Sequence, residues 1–209
     1  MLTVGFDLDM TLVDSRPGIR ASMDALTQET GVPIDADVVI ERLGPKLEWE
    51  LAHWFPSEQV AHACKRYRAH YWEHCVGAGT LLLPGALAAV DAVRARDGRI
   101  LIVTAKSESL AHRCLKSVGL KADAVVGHVY GDEKRDALIA HGASIYVGDT
   151  ITDVKSALDA SATAVGVTTG PDDAAALRAA GAEAVLDSLE EFPAWLNDAG
   201  ASSRAATIP

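Results

Sequence analysis

The stretch Val4–Ser15, VGFDLDMTLVDS, places two aspartates, Asp7 and Asp9, directly after a short apolar run. A run of this length, followed by polar residues, is typical of a buried strand. Two carboxylates one residue apart have no structural use in such a strand, because unpaired buried charges are costly. We therefore expect Asp7 and Asp9 to have a chemical role at the end of the first strand.

The rest of the chain divides into two regions with different sequence patterns. Residues 16–76 are helical in pattern, with prolines and no strand signal. Beyond them, apolar strands such as RILIVT (99–104) and SIYVGD (144–149) alternate with helices. Strands buried on both faces and separated by helices predict a parallel sheet covered on two sides. We predict an α/β fold with a doubly wound, Rossmann-like parallel sheet and an inserted all-helical cap. The core domain would be 1–15 and 77–209, and the cap domain 16–76.

The charge, the apolar stretches and the cysteine count limit the partners and the cellular compartment that we expect for this protein. The 209 residues include 29 acidic and 19 basic side chains, for a formal net charge of -10. This balance argues against a nucleic acid or an anionic membrane surface as partner. No apolar stretch is long enough to span a bilayer and no secretory signal is visible. Three cysteines fit a reducing compartment better than a disulfide framework. We expect a cytoplasmic protein, and leave its oligomeric state open.

The polar residues that end the predicted strands should meet, because ligands of open α/β sheets bind at the carboxyl ends of the strands. Those residues, with the polar residues of the helices that follow, are Asp7, Asp9, Thr104, Lys134, Asp149 and Asp153.

This set suits phosphoryl transfer. A carboxylate such as Asp7 can act as a nucleophile and form an acyl phosphate. Asp7 and Asp149, with backbone oxygens, offer the hard ligands that suit Mg²⁺. Thr104 and Lys134 can neutralise and orient phosphate oxygens. Asp9 can protonate the leaving oxygen and then take a proton from the attacking water.

The segment DLDMT, together with Thr104, Lys134 and GDTITD, resembles the four motifs of the haloacid dehalogenase-like phosphohydrolase superfamily. The continuation TLVDS and the closing GAEAVLDSL are similar to the phosphoglycolate phosphatase-like subgroup with a helical cap. The resemblance implies a Mg²⁺-dependent phosphatase acting on a small phosphorylated metabolite, phosphoglycolate-like or a sugar phosphate, through an aspartyl-phosphate intermediate. One departure is Met10, which stands where the family usually has glycine.

The resemblance also implies roles for individual residues. Asp7 would be the nucleophile and a metal ligand, and Asp9 the acid/base that gives its backbone carbonyl to the metal. Asp149 would be a direct metal ligand. Asp153 would hold a metal-bound water or orient Lys134.

Each assignment has a simpler alternative. Thr104 could merely end a strand, and Asp149 could merely N-cap the next helix. Lys134 could be a solvated surface residue, with Lys106 as a rival cation on the phosphate side. A helix with His70, His74 and two cysteines raises the question of zinc, but the cysteines fall on its apolar stripe and are expected in the core.

Other functions remain open on the same scaffold. A phosphosugar mutase would keep Asp7 and Asp9, and a phosphonate-cleaving hydrolase would need a cap amine such as Lys46. A non-catalytic phospho-ligand-binding module is the alternative of another class.

Specificity is expected in the cap. Gly44-Pro45 predicts a tight turn between two cap helices. Arg42 and Lys46 flank this turn, and either could hold a second anionic group of the substrate, such as a carboxylate. The alternative is that both are solvated residues paired with Glu41 and Glu48.

Overall fold

The computed structural model describes the backbone of residues 1–205 and the side chains through residue 198. Its strands are β1 (Thr3–Phe6), β2 (Val13–Asp14), β3 (Leu81–Leu82), β4 (Arg99–Val103), β5 (Ala124–Val126), β6 (Ile145–Gly148), β7 (Thr163–Val167) and β8 (Ala184–Leu186). Six of these form one sheet in the order β5-β4-β1-β6-β7-β8. Every neighbouring pair in that sheet is parallel.

Helices cover both faces of the sheet. They are α1 (Arg16–Thr30), α2 (Ala36–Glu41), α3 (Leu47–Leu51), α4 (Ser57–His74), α5 (Ala86–Arg94), α6 (Glu108–Ser117), α7 (Asp132–His141), α8 (Ile151–Asp159), α9 (Ala174–Ala179) and α10 (Phe192–Ala205). None of the described helices has both the length and the apolar composition needed to cross a bilayer.

Alternation along β4 explains why its residues from Ile100 to Val103 are all apolar. Ile100 and Ile102 belong to the core cluster on one face, whereas Leu101 and Val103 belong to the cluster on the other. Successive strand side chains point to opposite faces, so a strand covered on both sides needs apolar residues at every position. The predicted fold class, a doubly wound parallel sheet, is confirmed.

The four helices α1–α4 form an insertion between β2 and β3. These two short strands pair antiparallel, Val13 with Leu82 and Asp14 with Leu81, so the chain leaves the core and returns to it at one ribbon. Inside the insertion, α1 packs against α4. Cys64 and Cys75 are buried there, as their position on the apolar stripe predicted.

A tight turn between α2 and α3 brings the insertion to the edge of the sheet. Gly44 has a φ of 137°, a backbone conformation that residues other than glycine rarely adopt. A Cβ at this position would lie 3.6 Å from the side chain of Thr150. The Gly44-Pro45 turn therefore contacts the N-terminus of α8, where β6 ends.

Candidate functional site

The carboxyl ends of three neighbouring strands meet beneath the insertion. Asp7 follows β1, Thr104 follows β4 and Asp149 follows β6. These three residues and Asp9 line one cavity of about 100 Å³, which is also lined by residues of the helical insertion. The structure thus brings together the strand-end residues that the sequence placed at one edge. Thr104 is buried in this wall, with 1% exposure.

Lys134 is the central cation of the site. It lies in the first turn of α7 and is 2% exposed, so the solvated alternative is wrong. Its Nζ is 2.6 Å from Asp153 Oδ1 and 3.3 Å from Asp7 Oδ1. Burial alone would lower the pKa of Lys134, but the two carboxylates outweigh it and raise that pKa above its ordinary value.

Asp153 already has partners for both carboxylate oxygens. Its Oδ1 accepts from Lys134 Nζ and lies 3.1 Å from the Tyr146 hydroxyl. Its Oδ2 accepts from the backbone N–H of Thr150 at 3.2 Å and from the Thr150 hydroxyl at 2.6 Å. These bonds are part of a capping box at the start of α8. Because its lone pairs are occupied, Asp153 is suited to orient Lys134 rather than to bind a metal directly.

Asp149 is held differently. The hydroxyl of Thr11 donates to its Oδ1 at 2.6 Å, and a Cβ at Gly170 would lie 1.8 Å from its Oδ2. Asp149 does not cap α8, because Thr150 is the N-cap residue, so that alternative is wrong. Thr11 was not singled out from the sequence, although a hydroxyl inside the first motif was visible. No sequence pattern marked Gly170 as a site residue, because only the folding of the chain brings it against Asp149.

Asp7 and Asp149 carry an electrostatic cost. Burial raises the pKa of Asp7 to about 7, partly offset by Lys134 and reinforced by Asp153 and Asp9. Burial, with the charges of Asp7 and Asp153, also raises the pKa of Asp149 well above its ordinary value. One oxygen from each of Asp7, Asp149 and Asp153 lies within 4.8 Å of the others. Asp7 Oδ1 has no hydrogen-bond partner. The carboxylates of Asp7 and Asp149 fit a hard divalent cation, which would relieve their repulsion.

Lys106 lines the cavity and pairs with Asp9. Its Nζ lies 3.2 Å from Asp9 Oδ1 and 4.1 Å from the centre of the Tyr71 ring. Burial would lower the pKa of Lys106, but Asp9 outweighs it and raises that pKa. The lysine therefore stays charged, and it holds the Asp9 side chain by an ion pair.

Met10 occupies the turn between the strand and the first ribbon with a φ of 60°. This left-handed conformation explains why glycine would suit the position, since a β-carbon is strained there. The methionine side chain is buried at 4% exposure, and its carbonyl accepts from the Thr169 hydroxyl at 2.5 Å. Packing and a hydrogen bond therefore hold this residue in the turn that the motif requires.

The two cap cations have partners other than those proposed from the sequence. Arg42 lines the cavity and donates to Glu50 Oε1 at 2.7 Å. Lys46 is not among the residues that line the described cavity, and its Nζ lies 2.6 Å from Glu133 Oε2. Glu48 pairs with Arg68 instead. Lys46 thus joins the insertion to the first turn of α7, next to Lys134.

The helix with the histidines shows no zinc cluster in the part of the chain that the structure describes. His70 Nε2 lies 2.6 Å from Glu29 Oε2, on a surface that also holds Arg66. The one cluster of three metal-ligating side chains found among the described residues is Asp7, Asp149 and Asp153. A structural metal within α4 is therefore not supported.

Comparison with known proteins gives one matching family model and several similar proteins. A family model described as haloacid dehalogenase-like hydrolase matches residues 4–167. A phosphoglycolate phosphatase of Rhodospirillum rubrum is 30% identical, over 91% of this chain and 89% of its own length. One from Chromobacterium violaceum is 28% identical, over 90% of this chain and 93% of its own. A haloacid dehalogenase-like hydrolase from Bacteroides fragilis has a similar fold, with a TM-score of 0.79 at 22% identity, over 91% of this chain and 98% of that one.

Proposed function

The chain belongs to the haloacid dehalogenase-like hydrolase family, and from this premise we propose that it is a Mg²⁺-dependent phosphatase acting on a small phosphorylated metabolite. The family model covers most of the chain, from the first strand to β7. Two similar proteins are named phosphoglycolate phosphatases, which supports hydrolysis of a phosphate monoester. In this proposal residues 16–76 are a cap domain over a core of 1–15 and 77–209.

The environment of Asp7 Oδ1 carries the proposal. This oxygen is buried and accepts no hydrogen bond, whereas both oxygens of Asp153 are occupied. It faces Lys134 Nζ at 3.3 Å and lies in the same cavity as Asp9. A carboxylate oxygen without a partner, next to a fixed cation and a second carboxylate, is the arrangement that a nucleophile for phosphoryl transfer requires.

The chemistry proceeds in two steps. An Asp7 oxygen attacks phosphorus, the ester P–O bond breaks, and Asp9 donates a proton to the departing oxygen. Water then attacks phosphorus, Asp9 removes a proton from it, and the bond from phosphorus to Asp7 breaks to release inorganic phosphate. Lys134 and the Thr104 hydroxyl hold the phosphoryl oxygens during both steps. Mg²⁺, bound by Asp7, Asp149 and the Asp9 backbone carbonyl, would neutralise charge between the phosphoryl group and the carboxylates.

The alternatives on this scaffold receive less support. Phosphonate cleavage needs a free cap amine, but Lys46 pairs with Glu133 outside the cavity lining. A phosphosugar mutase would use the same two aspartates and would return the phosphoryl group to the substrate. Release of inorganic phosphate therefore separates a phosphatase from a mutase.

The test is phosphate release by purified protein with Mg²⁺ and a panel of phosphate monoesters. Asp7→Asn should abolish turnover with the fold intact. Asp9→Asn should keep metal and substrate binding and lose turnover, because its proposed metal contact is a backbone carbonyl. A chelator should remove activity, and Mg²⁺ should restore it. Turnover by Asp7→Asn, with contaminating phosphatase excluded, would contradict the mechanism.

A further inference from the structure

The helical insertion lines the cavity with both apolar and charged side chains. Five of its apolar residues form a surface that we call the cap wall: Met23, Val39, Leu43, Leu47 and Tyr67. Met23, Val39 and Tyr67 are almost wholly buried, and Leu43 and Leu47 are partly buried against the core. The reacting carboxylates belong to the core elements, so we expect the group that departs from phosphorus to lie towards the insertion, against the cap wall.

Each cation that lines the cavity beside the cap wall already has a carboxylate partner. Arg42 donates to Glu50, which is itself buried at 7% exposure and lines the same cavity. Arg68 donates to Glu48 at 2.6 Å. The fork of Arg42 is the natural group to hold a substrate carboxylate, and its buried Nε has no hydrogen-bond partner. Its charge, however, is offset by Glu50.

The third cation of the lining, Lys106, is also committed. Its Nζ pairs with Asp9 at 3.2 Å and lies over the ring of Tyr71. Redirecting it to a second anion on the substrate would take it from the proposed acid/base. Among the described residues that line the cavity, a negatively charged leaving group would therefore meet no uncommitted cation, and it would lie near four carboxylates, those of Asp7, Asp9, Glu50 and Asp149.

We propose that this enzyme prefers phosphate monoesters whose leaving group is small, uncharged and mainly apolar. The inference rests on the proposed phosphatase function, and adds the class of substrate. A leaving group with a carboxylate, as in phosphoglycolate, would lose its hydration in the cavity without gaining an unpaired cation. An apolar group gains contact with the cap wall instead.

The dimensions of the cavity limit the size of the leaving group. Its volume is about 100 Å³. An apolar protein cavity of about 150 Å³ is sufficient to bind benzene. We therefore expect the cavity to hold the phosphoryl group and a leaving group of a few carbon atoms, and long-chain or nucleoside esters are not expected to fit.

A shape-matched pair of substrates tests the proposal. Isobutyl phosphate and 2-phosphoglycolate differ chiefly in that an isopropyl group replaces a planar carboxylate of similar size. We expect kcat/KM with Mg²⁺ to be at least about tenfold higher for isobutyl phosphate, a difference that corresponds to about 1.4 kcal/mol. An equal or higher value for phosphoglycolate would overturn the proposal. Failure to release phosphate from every ester of the panel would count against the phosphatase function itself. Hydrolysis of other esters without a preference for isobutyl phosphate would count against the proposed substrate class alone.

Glu50→Gln tests the physical reason. The substitution keeps the shape of the side chain and an oxygen for Trp54 Nε1, which donates to Glu50 at 2.9 Å, but it removes the charge that offsets Arg42. We expect the ratio of kcat/KM for phosphoglycolate to kcat/KM for isobutyl phosphate to rise about tenfold, because the charge of Arg42 would no longer be offset. An unchanged ratio would overturn the proposal.

Glu29→Gln is the matched control. Glu29 pairs with Arg66 on the outer surface, and neither residue lines the cavity. Like Glu50→Gln, the Glu29→Gln substitution removes one glutamate charge beside an arginine. The ratio of kcat/KM for phosphoglycolate to kcat/KM for isobutyl phosphate should nevertheless not change. If Glu50→Gln does not fold, as judged by thermal unfolding, the ratio measured on the wild-type protein still decides the proposal.

Discussion

Lys134 Nζ lies 2.6 Å from Asp153 Oδ1, and both side chains are almost wholly buried. Loss of one partner from a buried ion pair leaves the other charge uncompensated, at a typical cost of about 3–5 kcal/mol. Asp7 lies 3.3 Å from the same Nζ and would keep part of the compensation. We therefore expect Asp153→Asn to lower the free energy of unfolding by about 3 kcal/mol, measured by denaturant titration of the metal-free protein.

Asp136→Asn provides the comparison, because it removes an ion pair from α7, the helix that carries Lys134. Asp136 pairs with Arg135 at 2.9 Å, but this pair is exposed to solvent. Exposed ion pairs contribute about 0–1 kcal/mol, so the change in unfolding free energy should be under about 1 kcal/mol. Similar losses in the two variants would show that burial of the Lys134–Asp153 pair does not govern its strength.

The response of Tm to Mg²⁺ should distinguish the proposed metal ligand Asp149 from Asp153, which is proposed not to bind the metal directly. If Mg²⁺ binds the folded chain only, a concentration a hundredfold above its Kd should stabilise the protein by about 2.7 kcal/mol. Asp149→Asn removes a proposed ligand and should abolish the rise in Tm on adding Mg²⁺. Asp153→Asn should lower the starting Tm and keep most of that rise, because the Asp153 oxygens are occupied by Lys134 and Thr150. Loss of the Mg²⁺ response only in Asp153→Asn would reverse the assignment.

Met10→Gly compares backbone strain with side-chain burial. Glycine would relieve the φ of 60°, a gain of about 1–2 kcal/mol. The buried methionine side chain would be lost, at about 2–5 kcal/mol, and the unfolded chain would gain entropy worth about 0.4–1 kcal/mol. The loss of side-chain burial should outweigh the relief of backbone strain, and we expect the variant to be less stable by about 2 kcal/mol. Denaturant titration that shows a more stable variant would mean that strain dominates.

The fold and the family could be predicted because their signals are local. A strand buried on both faces is apolar at every position, as Arg99–Val103 is after its first residue, and the motif residues follow such strands directly. The helical nature of the insertion was also visible from pattern alone. The predicted strand-end cluster follows from one topological rule, since parallel strands end at the same edge.

The partners within the site could not be predicted, because they depend on how distant segments pack. The contact of Thr11 with Asp149 spans 138 positions in the chain, and Gly170 reaches Asp149 only because β7 lies beside β6. Arg42 was expected either to hold an anionic group of the substrate or to be solvated beside Glu41 and Glu48. It pairs with Glu50 instead, because the Gly44-Pro45 turn folds α3 back towards α2.

Lys46 provides the last prediction, since its ion pair joins the cap to the core. Its Nζ lies 2.6 Å from Glu133 Oε2, and both side chains are partly or largely exposed, at 26% and 55%. An exposed pair contributes about 0–1 kcal/mol, so Lys46→Ala should change the unfolding free energy by less than that. Because Lys46 does not line the cavity, any loss of kcat/KM should be the same for isobutyl phosphate and 2-phosphoglycolate. Lys65→Ala, an exposed lysine of α4, is the control for removing a cap charge. A loss confined to phosphoglycolate would restore Lys46 to the carboxylate-binding role expected from the sequence.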